Sequence, residues 1–277
     1  MQTIKQTLDN VQHQLAAISD SPLLDAEILL AHVLNVQRSY LYTYPERTLS
    51  PEQQIQFNDL IKKRTQGQPI PYLTGHCEFW SLDLIVTPDT LIPRPETELL
   101  VELVLAQPNI PALQVADLGT GSGAIALALA KERPQWTIYA TDLSAVALKI
   151  AKINAERLQI NNIIFCQGSW CEALPKSQFD IIVSNPPYVA KDDSFLQPSV
   201  LATEPTSALI AEEQGLKDLY HIINEARHYL KPKGYLLLEH GFSQAQAVQR
   251  KFLELGYTDV KSVRDFSGLN RVTKGYF

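Results

Sequence analysis

The sequence predicts an α/β protein in which a doubly wound sheet follows a small all-α domain. Three observations carry this reading. Apolar residues at helical spacing occupy the first 74 positions, with no strand-like alternation. A short apolar strand over 113–118 then runs into the glycine-rich turn Gly119-Thr120-Gly121-Ser122-Gly123 and an apolar helix, the opening unit of doubly wound sheets. Further on, Ile181-Ile182-Val183 is β-branched and apolar throughout, as a strand covered on both faces must be.

Taken in order, Ile4, Leu8, Val11 and Leu15 recur on one helical face, and Ser21-Pro22 opens an apolar helix reaching Leu34. Ser50-Pro51 starts another helix. Serine suits the N-cap, proline the first helical position, and Gln53 completes a capping box. Ile55, Leu60 and Ile61 are its expected buried face, and Gly67 its end. Lys62-Lys63-Arg64 reads as its solvated last turn. Residues 1–74 carry no catalytic constellation, so a recognition domain for a macromolecular partner is expected. Prolines 69, 71, 88 and 93 then bracket Phe79 to Val86, which alternates like a strand, and Thr87-Pro88-Asp89-Thr90 reads as a turn. Residues 75–93 are thus expected to form a β-hairpin linker to a main domain over 94–277. That domain opens on Pro93-Arg94-Pro95-Glu96-Thr97-Glu98, proline and acids suited to a helix start.

After the glycine-rich unit a second strand, Thr137 to Thr141, ends in Asp142, about 20 residues past the first glycine. An acid there can accept hydrogen bonds from both hydroxyls of a ribose. A dinucleotide-binding unit has the same form, so this half alone leaves the cofactor open. A third strand, Ile163 to Cys166, leads to Gly168-Ser169-Trp170. Residues 189–215 read as a long polar loop, a lid or substrate clamp. A helix over Leu216 to Leu230, a strand over Tyr235 to Leu238, a helix over Gln244 to Leu255, and strands near Val260 and over Arg271 to Phe277 complete seven strands. His240 follows the fifth strand and reads as structural.

The fourth strand carries the chemistry. It stops at Asn185-Pro186-Pro187-Tyr188, because neither proline can donate to a ladder. Asn185, preceding a proline, is held extended at the strand's carboxyl end, where open α/β sheets bind ligands. Its carboxamide oxygen and the Pro186 carbonyl are two acceptors, and Tyr188 adds a flat ring. Two acceptors and a ring suit a planar target bearing an NH2 group, an amide or an amino-base.

Composition bounds the partners. Hydrophobic residues at 45% and charged residues at 19% supply a core, and the net charge of −6 argues against loose binding to nucleic acid or anionic membrane. Cys77, Cys166 and Cys171 form no Cys-x-x-Cys, and the six histidines show no metal-ligand spacing, so no metal and a reducing, cytoplasmic setting are expected. No signal-peptide pattern or membrane-length apolar run is seen.

Asn-Pro-Pro-Tyr after a buried strand resembles the motif of amino-group methyltransferases. Together with the glycines and Asp142 it resembles class I S-adenosylmethionine-dependent methyltransferases, whose fold is a seven-stranded, Rossmann-like doubly wound sheet. The whole chain is similar to the HemK/PrmC family of protein-(glutamine-N5) methyltransferases. The resemblance rests on Pro-Arg-Pro-Glu-Thr-Glu at 93–98, Asp-Leu-Gly-Thr-Gly-Ser-Gly at 117–123, Asn-Pro-Pro-Tyr at 185–188 and Leu-Leu-Leu-Glu-His-Gly at 236–241. It implies that Gly119, Thr120, Gly121, Ser122, Gly123, Asp142, Trp170 and Asn185 hold S-adenosylmethionine, with Trp170 over the adenine. Ser169 stands where many relatives carry an acid. It implies that Asn185, Pro186, Pro187 and Tyr188 hold the glutamine of a Gly-Gly-Gln loop in class-1 peptide chain release factors, with Asn185, Pro186 and Tyr188 catalytic. A monomer without stable nucleic-acid or membrane partners is expected. A ribosomal-protein glutamine methyltransferase and a DNA adenine-N6 methyltransferase are the alternatives; the second usually adds a basic recognition region, absent here.

Overall fold

The computed structural model describes residues 2–108, 110–176, 178–193 and 198–277. The chain divides into two compact units, Met1–His76 and Cys77–Phe277.

The first unit is helical: α1 (Ile4–Leu15), α2 (Pro22–Leu34), α3 (Arg38–Thr43), α4 (Pro51–Thr65) and α5 (Ile70–Thr74). Capping boxes start α1, from Thr3 and Gln6, and α4, from Ser50 and Gln53, each satisfying two otherwise orphaned backbone donors. Ile4, Leu8, Val11 and Leu15 share the core with Leu29, Leu30, Phe57 and Ile61. Ile55, expected on the buried face of α4, is 69% exposed. One helical turn back from Ile61 lands on Phe57, and that larger ring takes the inward position. Arg64 is not solvated either. Its guanidinium bonds the nearly buried Asp25 at 2.8 Å, tying α4 to α2.

The second unit opens with a hairpin, β1 (His76–Phe79) and β2 (Leu82–Ile85). The expected single strand over 79–86 is broken at Trp80 and Ser81, both at positive φ, 52° and 55°. Tight hairpin turns need this geometry, but asparagine and glycine usually supply it, so the signal was missing. Glu98 holds the corner by accepting the Trp80 amide hydrogen at 2.8 Å. Phe79, Leu82 and Leu84 are buried with α6 (Glu98–Leu105) and α7 (Ala124–Glu132), so the hairpin belongs to this unit's core.

The main sheet contains β3 (Gln114–Leu118), β4 (Thr137–Asp142), β5 (Ile163–Gln167), β6 (Phe179–Ser184), β7 (Leu230–Glu239), β8 (Thr258–Arg264) and β9 (Asn270–Tyr276). Its order is β5-β4-β3-β6-β7-β9-β8, with β9 antiparallel to both neighbours and the rest parallel. The seven expected strands are all present. One face packs on α6, α7 and α8 (Ala145–Arg157), the other on α10 (Lys217–Ala226) and α11 (Ala245–Glu254). This explains the continuous apolar run of β6, whose Ile182 and Val183 are fully buried. The helix expected over 216–230 is shorter, because Leu230 already pairs with Phe179 as part of β7.

Segment 189–215 is more ordered than a loop. It holds α9 (Pro198–Thr203), a 3-10 turn at Thr206–Ala208 and a turn at Glu212–Gly215; the part of the expected lid at 194–197 lies outside the described residues. Among the described residues no helix is long and apolar enough to cross a membrane.

Candidate active site

The sheet order reverses between β3 and β6, and a doubly wound sheet opens a crevice at that point. The register pairs Leu118 with Ser184, so the next residues, Gly119 and Asn185, emerge side by side, about 4.8 Å apart by strand spacing. Asp142 pairs with Gln167 in the same way at the ends of β4 and β5. A cavity of about 570 Å³ lies over these four strand ends, lined by Gly119, Gly121, Asp142, Ser169, Trp170, Asn185 and Pro187 among others. The expected cofactor residues Thr120, Ser122 and Gly123 belong to the turn beneath it, Thr120 and Ser122 being buried.

Backbone geometry makes room for a ligand. Gly119 has φ +73°, and a Cβ there would stand 3.0 Å from the Trp170 ring, so the indole packs directly on the glycine. Gly121 has open space where a Cβ would sit. Asp142 is held rigidly: one carboxylate oxygen accepts from the Gly121 amide at 2.9 Å, the other from the Ser144 amide at 2.8 Å. Burial pushes its pKa up, and these bonds oppose the shift. Each oxygen keeps a lone pair for a ligand. An open glycine floor beside a fixed carboxylate fits a nucleoside with a ribose, and so fits S-adenosylmethionine.

Several residues here escaped the sequence reading. Asp117 is fully buried; its Oδ2 accepts from the Thr120 hydroxyl at 2.6 Å and from the Ala126 amide at 3.2 Å, pinning the turn to α7. Burial raises its pKa to about 7. Asp218 lines the cavity beside Trp170. Pro205, Ser207 and Ala208 wall it, anchored through Glu204, which pairs with Arg94 and accepts from the Ile92 amide at 3.3 Å.

The tetrapeptide is tied down on two sides. Asn185 Nδ2 donates to Thr97 Oγ1 at 3.1 Å, and the Tyr188 hydroxyl donates to Glu239 Oε1 at 3.1 Å. Glu239 ends β7, is fully buried, and has its pKa raised to about 7, chiefly by burial. Burial also raises the Tyr188 pKa, so the phenol is neutral. The Tyr188 carbonyl accepts from Gln244 Nε2 at 2.9 Å. His240 is buried and is not among the residues lining the cavity; it bonds the Gly241 carbonyl through Nδ1 and Thr273 through Nε2, and burial lowers its pKa. A carbonyl only accepts, so Nδ1 carries the hydrogen, and burial disfavours a second proton on Nε2. The three cysteines are free thiols, and no candidate metal cluster occurs among the described residues.

Comparison with known proteins places this architecture. Residues 110–263 match a methyltransferase domain and residues 6–75 the PrmC N-terminal domain. A solved methyltransferase from Pyrococcus furiosus shares the fold, with TM-score 0.54 at 20% identity over 71% of this chain and 88% of its own. The chain is an enzyme of the class that takes methyl groups from S-adenosylmethionine. Two curated relatives named release factor glutamine methyltransferase are closer: one from Shewanella oneidensis, 50% identical over 95% of this chain and 92% of its own, and one from Coxiella burnetii, 49% identical over 98% of each. At that identity across both units, the chain belongs to the release factor glutamine methyltransferase family.

Proposed function

We propose that this chain methylates the side-chain amide nitrogen, N5, of the glutamine in the Gly-Gly-Gln loop of class-1 peptide chain release factors. One observation carries the reading. Asn185 lines the cavity with its amide NH2 engaged by Thr97, which leaves Oδ1 as an acceptor, and the Pro186 carbonyl follows it in the chain. Two acceptors at that point suit an NH2 group that loses a proton during reaction.

The backbone of Gly119 to Gly123, the Asp142 carboxylate and the Trp170 ring would hold S-adenosylmethionine, with Asn185 at the boundary between cofactor and substrate. When bound, that cofactor supplies a methyl group made electrophilic by its positive sulfonium. The chain's own task is to make an amide nitrogen, whose lone pair is delocalised, a better nucleophile. Asn185 Oδ1 and the Pro186 carbonyl each accept a hydrogen from the glutamine NH2. This draws electron density onto nitrogen and favours pyramidal geometry as charge develops. Tyr188 fixes the amide plane, and alignment of the reacting atoms is worth up to about 7–11 kcal/mol. No acid–base residue is needed: the methylated amide nitrogen is strongly acidic and releases its proton to water after transfer, in keeping with a buried His240 that is not among the residues lining the cavity. The helical first unit recognises the release factor, and the enzyme acts as a monomer.

The deciding experiment incubates the enzyme with radiolabelled S-adenosylmethionine and, separately, release factor, ribosomal protein and DNA. Label should enter the Gly-Gly-Gln glutamine alone. Transfer to ribosomal protein or DNA in preference would replace this reading.

A further inference from the structure

The hairpin of β8 and β9 ends in a turn over 265–269 that carries a large apolar side chain into solvent. Phe266 is 97% exposed, more than any other large hydrophobic residue among those described, and Leu269 is exposed beside it. The turn beneath is firmly held. Asp265 is buried, and its Oδ1 accepts from the Ser267 and Leu269 amides at 3.0 Å each. Its Oδ2 accepts from Arg271 Nε at 3.1 Å. The Asp265 amide donates to the Leu269 carbonyl and the Gly268 amide to the Asp265 carbonyl, both at 2.9 Å. Single apolar residues on a surface are ordinary. This one is set apart by its fixed support and by where the turn stands.

The sheet register gives that place. Ser184, Leu238 and Thr273 share one row across β6, β7 and β9. Asn185 lies one residue beyond this row, at the carboxyl end of β6. Since β9 is antiparallel, Asn270 lies three residues beyond it, and the turn further out still. Asn270 is thus two strand spacings, about 10 Å, to the side of Asn185 and two residues, about 7 Å, above it. The His240 amide donates to the Arg271 carbonyl at 2.9 Å, which fixes this rise against the end of β7. Phe242, also exposed, follows on the same end of the sheet. A folded domain of about 100 residues has a radius of gyration of about 13 Å, so a protein that delivers a glutamine to Asn185 comes within reach of the hairpin tip.

We propose that Phe266 is a docking contact for the body of the release factor, a specificity residue outside the catalytic machinery. Its partner is an apolar patch on the release factor at least about 12 Å from the glutamine. The proposal rests on the release-factor reading above.

Two variants test this: Phe266→Ser, which removes the ring at an exposed position, and Phe266→Tyr, which keeps it. Phe266→Ser should raise KM for release factor by roughly tenfold or more, the loss typical of an aromatic anchor truncated at an interface. Its kcat at saturating release factor and its cofactor affinity should stay close to wild type, and Phe266→Tyr should behave as wild type throughout. A second readout needs no turnover. Calorimetry of release factor binding, with S-adenosylhomocysteine in place of the methyl donor, should show the same loss of affinity in Phe266→Ser. Unchanged KM and affinity in Phe266→Ser overturn the proposal. So does a fall in kcat with KM unchanged, which moves the effect to the reacting centre. A wild-type dimer in sedimentation that Phe266→Ser dissociates also overturns it, since the ring would then meet a second copy of this chain. A wild type that binds release factor without methylating it removes the glutamine reading alone, and calorimetry still decides the docking; a wild type that does not bind release factor removes both.

Discussion

Replacing Gly215 by alanine should cripple methyl transfer without touching the cofactor cavity. Gly215 has φ +82° and closes a turn in which Glu213 and Gln214 are also left-handed, at 55° and 57°. A Cβ built there falls 2.0 Å from the Tyr188 carbonyl oxygen and 2.6 Å from Gln244 Nε2. A tolerable carbon–oxygen contact is about 3.3 Å, so some 1.3 Å must open between the turn and the tetrapeptide. A left-handed alanine costs about 1–2 kcal/mol, and losing the Gln244 bond to Tyr188 about 1 kcal/mol more. The expected destabilisation is therefore about 2–3 kcal/mol. A misplacement of about 1 Å at a reacting centre can cost about 10² in rate. Single-turnover assays with labelled cofactor should show that loss, while calorimetry shows cofactor affinity nearly unchanged. Turnover within threefold of wild type in a folded Gly215→Ala protein would refute the claim that this turn sets the position of Tyr188.

Asp142→Ala should weaken S-adenosylmethionine binding by about 1.5–3 kcal/mol, the worth of hydrogen bonds to a charged acceptor, and calorimetry showing full affinity would remove Asp142 from the site. Asn185→Ala should lower kcat by about 10²–10³ with cofactor affinity intact; near-normal single-turnover transfer would sink the proposed mechanism. A chain beginning at Gly75 keeps both hairpin strands, so it should bind cofactor yet methylate release factor poorly at low concentration; full activity there argues against a recognition role for the first unit. Folding stability should respond to Glu239. Its pKa rises from 4.5 to about 7, so the folded state binds more protons than the unfolded one between those values. Stability must then fall as pH rises through that window, by up to about 3 kcal/mol, and level off above it. Asp117, also raised to about 7, adds a fall of the same sign. Glu239→Gln should flatten part of the curve in denaturant melts from pH 4.5 to 8, and an unchanged slope would contradict the burial argument.

The parts of the fold legible in the sequence are those written in contiguous residues. The apolar strand into glycines, the acid closing the second strand, and the β-branched strand cut off by two prolines each announce themselves within about ten positions. Backbone chemistry explains this: proline ends a ladder and glycine admits positive φ whatever the surroundings. Misreadings came where packing outweighs local preference. Ile55 is as apolar as Phe57, and only the opposing helices decide which turns inward. Trp80 and Ser81 adopt a corner that their types disfavour, held by Glu98 and the core beneath.

For the candidate site, the sequence alone marked the strand end at Asn185, the glycine turn and the acid at Asp142, because each sits at the carboxyl end of a strand that its own residues define. Only the tertiary structure decided what holds Asn185 and Tyr188 in place. Thr97 and Asn185 are 88 residues apart, and Tyr188 and Glu239 are 51. No local pattern marks such pairs, since a threonine in a helix start and a glutamate after a strand are unremarkable by themselves. They meet their partners only when the chain folds, because both Thr97 and Glu239 are then buried and a buried polar group must find its hydrogen bond within the protein.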